Sequence, residues 1–148
     1  MNMNKIISID PGKQKCGIIL ADKKDLFVLE GKVVGTKSVS RLIEKWECKY
    51  QINLILLGNG TTSKFWEEKI KSISPAQIIF VNEERTTLRA KDRYLELWPR
   101  KNLSRLIPKG LFIPSENLDA VAALILLEDH FKIRFKWPVK NDFRIWQE

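Results

Sequence analysis

Apolar residues recur along this chain in two rhythms, and their alternation predicts an α/β fold. Apolar-rich runs at residues 5–10, 16–21, 26–34, 52–57 and 77–81 predict five strands. Val39, Leu42, Ile43 and Trp46 recur at helical spacing and predict a helix over about 38–50. Further helices are predicted over about 62–72 and 86–97, the latter ended by Trp98-Pro99, because proline disfavours a helical residue before it. Asp10-Pro11-Gly12 and Asp22-Lys23-Lys24-Asp25 read as turns, and residues 99–114 as an irregular basic loop. Pro114-Ser115-Glu116 opens a last helix, with Ser115 as its N-cap and the run Ala120 to Leu127 as its buried stretch. Short connections make the first three strands an antiparallel meander, and the two strands that follow helices join it. The expected fold class is therefore α/β, a mixed five-stranded sheet of three antiparallel plus two parallel strands, flanked by helices.

A chain of 148 residues suits a single domain spanning 1–148, with residues 131–148 as an aromatic and basic tail. The formal net charge of +8 favours a polyanionic partner, either nucleic acid or an anionic membrane surface. No apolar run reaches the length of a membrane span, and no signal peptide is visible after Met1. Cys16 and Cys48 lie in different elements and form no CxxC, which suggests a reduced, cytoplasmic setting.

Three carboxylates sit against apolar runs where an unpartnered charge is costly. Asp10 ends the first strand, Glu84 follows the fifth, and Asp119 precedes the apolar stretch of the last helix. Converging, they make an oxygen-ligand site for Mg²⁺, with Mn²⁺ able to substitute. Each also has a plainer reading: Asp10 as the opening of a turn, Glu84 and Asp119 as acids at helix starts. The segment from Arg85 to Lys109 carries eight cations against two acids, among them Arg85, Arg89, Arg93, Arg100, Lys101, Arg105 and Lys109. Placed beside Glu84, these side chains are candidates for gripping nucleic-acid phosphates. Arg85 equally suits a pair with Glu83. Gly58-Asn59-Gly60-Thr61 leads into a helix start, either as an anion-binding turn or as an ordinary capped one, and it lacks the Lys-Ser/Thr of a nucleotide-binding P-loop. The tail, with Phe135 and Trp137, reads as a nucleic-acid arm, a dimer contact or a cover for the sheet.

The pattern Asp10-Pro11-Gly12-x4-Gly17, then Glu83-Glu84-Arg85-Thr86-Thr87, then Leu118-Asp119-Ala120-Val121-Ala122-Ala123 resembles the ribonuclease H-like resolvases, most of all the YqgF/RuvX branch related to RuvC-type Holliday-junction resolvases. The match spans about residues 5–130, with Glu83 standing where the family has aspartate. The resemblance implies a ribonuclease H-like fold and two-metal phosphodiester hydrolysis, with Asp10 bridging the ions and Glu84 and Asp119 each holding one. Glu116, three residues before Asp119, matches the spacing of a further carboxylate in RuvC-type enzymes and is a fourth candidate ligand. Implied partners are nucleic acid, branched DNA before RNA, and a second copy of the chain, because paired symmetric cuts need a two-fold dimer. Two other functions share these features: processing of precursor 16S ribosomal RNA, a role attached to the YqgF branch, and nucleic-acid binding without catalysis.

Overall fold

The computed structural model describes residues 4–99, 106, 108 and 118–138. Its elements are β1 (Lys5–Asp10), β2 (Lys15–Asp22), β3 (Phe27–Gly35), α1 (Val39–Lys49), β4 (Ile52–Gly58), α2 (Ser63–Lys71), β5 (Gln77–Val81), α3 (Thr86–Leu97) and α4 (Asp119–Phe131), with a 3₁₀ turn over Thr36–Ser38. The strands form one sheet in the order β3-β2-β1-β4-β5. β1–β2 and β2–β3 pair antiparallel, whereas β1–β4 and β4–β5 pair parallel. This is the expected fold class and the expected order of elements.

Both faces of the sheet are covered, which is why its central strands read as near-continuous apolar runs. Side chains alternate between the two faces. Ile7 and Ile9 of β1, Ile18 and Leu20 of β2, and Ile55 and Leu57 of β4 pack with α1 and α2 residues such as Trp46 and Trp66. Ile6, Ile19 and Leu56 pack on the opposite face with α3 and α4. Ser8 of β1 shares that second face and is fully buried; its hydroxyl donates to the Ala123 carbonyl at 2.7 Å, which satisfies it and ties β1 to α4. Every residue from Ala120 to Leu127 is buried, so α4 lies embedded between the sheet and α3. α4 opens at Asp119 with Leu118 as its N-cap, later than the sequence pattern suggests, and Ser115 lies outside the described residues. No helix among the described residues is long and apolar enough to cross a membrane.

Residues just after α4 close one side of the sheet. Lys136 makes a parallel bridge to Phe27: the Val28 N–H donates to its carbonyl and its own N–H donates to Leu26, both at 2.8 Å. This places Phe135 and Trp137 in the core on the α4 side, with Trp137 filling the space above Gly31. Trp98 stacks edge-on against both Tyr94 and Trp137, joining the end of α3 to this cover.

Candidate active site

β1, β4 and β5 run parallel, so their C-terminal ends emerge along one edge of the sheet, where ligands of open α/β sheets usually bind. Asp10 ends β1 there. Its antiparallel neighbour across the β1–β2 ladder is Gly17. On the other side, Ile9 aligns with Leu57, so Gly58 comes next on β4. Asp10 therefore stands between two glycines, all three on the α4 side of the sheet.

The space these glycines leave open is filled by groups carrying the other acids. A Cβ at Gly17 would lie 2.7 Å from the Ala120 nitrogen and closer still to the Asp119 carbonyl. Only glycine lets the first turn of α4 approach the sheet and bring Asp119 alongside Asp10. A Cβ at Gly58 would collide with the Glu83 carboxylate, and one at Gly60 would lie 2.9 Å from Glu83 Oε2. No described glycine has positive φ, so room rather than backbone freedom demands glycine at these positions.

Glu83 is held by a hydrogen-bonded turn. The Asn59 N–H donates to the Val81 carbonyl at 3.0 Å, and the Asn59 side-chain oxygen accepts from the Glu83 N–H at 3.3 Å. Asn82 Oδ1 accepts from the Glu84 N–H at 3.1 Å, and the Thr86 N–H donates to the Glu83 carbonyl at 3.3 Å. Arg85 adopts the left-handed conformation (φ 56°) that turns the chain into α3. The Gly58-Asn59-Gly60 loop leads into α2, as one expectation had it, and the anion it holds is the chain's own Glu83 carboxylate, which accepts from the Gly60 backbone.

The result is an excess of negative charge in a half-buried place. Burial, then the facing carboxylates of Glu83 and Asp119, push the Asp10 carboxyl up to about 7. Burial also raises Glu83, against a hydrogen bond from the Gly60 backbone, and raises Asp119, against the Lys15 ammonium. Lys15 Nζ lies 3.8 Å from Asp119 Oδ2, a long and partly exposed pair that offsets little. Asp10 and Asp119 share a recess of about 400 Å³ whose other lining residues are Gly12, Lys13, Gln14 and Lys15. Burial pushes the neighbouring Cys16 thiol up to about 11, so it is no nucleophile.

Glu84 lies elsewhere. It lines a separate recess with Val81, Asn82, Arg85, Arg89, Asp129, His130 and Lys132. The sequence motif points to Glu84, whereas the turn brings Glu83 to the α4 side of the sheet, over Gly58 and Gly60; strand parity carries that signal, since Val81 faces α4 and a residue two further on starts from the same side. Among the described residues, no three His, Cys, Asp or Glu side chains enclose a metal site as they stand. The donor chemistry nevertheless suits a hard divalent cation. Glu83 Oε1 is buried with no hydrogen-bond partner among the described residues, and the Asp10 carboxylate is disfavoured by burial and then by its neighbours' charge.

Two of the candidate phosphate ligands have other employment. Arg89 donates to both oxygens of Asp129 at 2.7 and 2.6 Å. Arg93 donates to both oxygens of Glu128 at 2.9 Å and to the Phe135 carbonyl at 3.0 Å. Spaced four apart on α3, they bind that helix to α4. Arg93 and Glu128 side chains are each 11% exposed, so Arg93→Ala strands a buried carboxylate and is expected to cost about 3–5 kcal/mol in urea unfolding. The same variant is expected to leave the salt dependence of nucleic-acid binding unchanged, whereas loss of a phosphate contact lowers that slope by about one. Arg85 lines the Glu84 recess. Glu116, Arg100, Lys101, Arg105 and Lys109 lie outside the described residues.

No protein-family model matches the sequence, and no curated protein matches it. Among solved structures, the chain is similar to T. thermophilus RuvC in complex with Holliday junction substrate, with 15% identity, 86% of this chain and 96% of that chain covered, and a TM-score of 0.44.

Proposed function

We propose that this protein is a divalent-metal-dependent endonuclease, acting as a two-fold dimer, that hydrolyses phosphodiester bonds in four-way DNA junctions. The observation that carries the reading is the Asp10 carboxyl, which shares a recess with Asp119 and is pushed up to about 7 by burial first and by the charges of Glu83 and Asp119 second. Such an arrangement costs stability and gains a use when a cation occupies it. Asp10, Asp119 and an acid of the 82–84 turn would hold Mg²⁺ or Mn²⁺; the sequence motif nominates Glu84 for that third place. Bound there, the metal would supply an activated water and neutralise charge on the leaving oxygen. The residues' own part is to hold those oxygens in place on rigid elements, while Lys13 and Lys15 on the rim of the recess attract the phosphate backbone. Arg85, with Arg100, Lys101, Arg105 and Lys109, is proposed to extend the phosphate contacts. The motif order shared with the YqgF/RuvX and RuvC-type resolvases supports the choice of substrate.

The test is cleavage of a labelled four-way DNA junction with Mg²⁺, Mn²⁺ or EDTA, beside linear duplex and structured RNA, with Asp10→Asn as control. Paired cuts near the crossover, lost in EDTA and in the variant, are expected. Normal cleavage by Asp10→Asn would overturn the proposal, and cutting confined to RNA would move it to ribosomal RNA processing.

A further inference from the structure

The 82–84 turn offers two adjacent glutamates, and they point to different places. Glu84 lines the recess shared with Arg85, Arg89, Asp129 and Lys132, apart from the recess of Asp10 and Asp119. Glu83 reaches back over β4 into the space above Gly58 and Gly60, on the side of the sheet that carries Asp10. One of its oxygens is buried and accepts no hydrogen bond from any described residue. A buried carboxylate oxygen without a protein donor is unusual, and a cation or an ordered water is what can satisfy it. The surrounding sequence is arranged to keep it there: glycine at 58 and 60 makes the room, and Asn59 pins the backbone on both sides of Asn82.

We infer that Glu83, rather than Glu84, is the third metal-holding carboxylate of this protein, and that Asn59 is the positioning residue that aims it at Asp10. The inference rests on the metal-dependent reading above and specifies which atoms serve it. It departs from the motif alignment, in which Glu84 takes the family's glutamate position. It also gives the Gly58-Asn59-Gly60 loop a purpose its sequence does not announce. Glu83 then has an unusual thermodynamic signature: without metal it destabilises the fold by facing Asp10, and with metal it stabilises the fold.

Thermal unfolding of the full chain in EDTA and in Mn²⁺ reads this directly. At a hundredfold excess of Mn²⁺ over Kd, the wild-type Tm is expected to rise by roughly 10 °C. Glu84→Gln is expected to keep that rise. Glu83→Gln is expected to lose it, while its Tm in EDTA moves above that of the wild type. A merely structural Glu83 would give the opposite change in EDTA. Asn59→Ala is expected to keep a reduced metal response. Should Glu83→Gln fold poorly, Gly60→Ala serves in its place. Its methyl displaces the end of a flexible side chain, so it shifts the carboxylate at little cost to the fold and is expected to weaken the metal response. Loss of the response in Glu84→Gln with its retention in Glu83→Gln, or in Gly60→Ala where that variant stands in, would overturn the inference and leave the metal reading intact. A wild type with no Mn²⁺ response, or a response that survives Asp10→Asn, would overturn the metal reading itself and this inference with it.

Discussion

Gly17→Ala is expected to cost about 3 kcal/mol or more and to remove most of the metal-dependent activity. The added methyl meets backbone, not a side chain that can rotate away: the Asp119 carbonyl and the Ala120 nitrogen lie inside its contact distance. Relief requires the first turn of α4 to lift from β2. That turn carries Asp119, and displacement of a reacting geometry by about 1 Å can cost a hundredfold in rate. Gly35→Ala is the matched control, because nothing lies within 4 Å of a Cβ there. It is expected to be neutral or slightly stabilising, since alanine has less freedom to lose on folding. Urea unfolding and metal-dependent cleavage on both variants check the pair of outcomes. Equal stability of the two would show that α4 does not rest on β2 as described.

Without metal, the protein is expected to lose stability as the pH rises from about 4 to 7, and Asp10→Asn is expected to remove much of that loss. In the unfolded chain Asp10 ionises near 3.8, whereas in the fold burial and its acidic neighbours hold it protonated up to about 7. The native state therefore binds more protons across this window, and stability is highest below it and lost through it. Asp10 alone gives a slope of up to about 1.4 kcal/mol per pH unit, or about 4 kcal/mol over the window. Glu83 and Asp119, raised in the same direction, steepen the slope. An amide at position 10 has no charge to expose, so Asp10→Asn is expected to be the more stable protein at pH 7.5 in EDTA while failing to cleave. Urea midpoints of both proteins in EDTA from pH 5 to 8 decide this; a constant difference between them across the range would contradict the crowding of charge at Asp10. Saturating metal takes the place of the proton and is expected to flatten the wild-type curve.

The parts of this structure legible in the sequence are those set by local rhythm. The five strands follow from their apolar runs, and α1 follows from Val39, Leu42, Ile43 and Trp46. Asp10 and Asp119 stood out because a charge at the end of an apolar run needs a reason, and they line one recess. What the rhythm does not encode is which way a turn aims its side chains. Glu83 and Glu84 are chemically identical neighbours; the hydrogen bonds their backbone N–H groups donate to Asn59 and Asn82, and the left-handed Arg85, decide that they diverge. Pairings distant in sequence were equally invisible. Arg89 and Arg93 read as free cations because Asp129 and Glu128 lie 40 and 35 residues away, with a helical partner face that only the fold supplies. For the tail, the sequence left a nucleic-acid arm, a dimer contact and a cover for the sheet open; Phe135 and Trp137 are the cover, and the choice was not legible because their burial depends on a bridge to Phe27, more than a hundred residues earlier.

That bridge also bears on how the protein avoids stray strand pairing in a crowded solution. β3 is an edge strand, and an open edge is a template on which another chain can add a strand. Lys136 occupies hydrogen-bonding groups at the start of β3, and Trp137 covers Gly31 farther along the same strand. A chain cut after Phe131 would bare edge and apolar surface together. Its failure would accordingly be self-association at high concentration, through β3, before any loss of the acidic centre on the opposite margin of the fold.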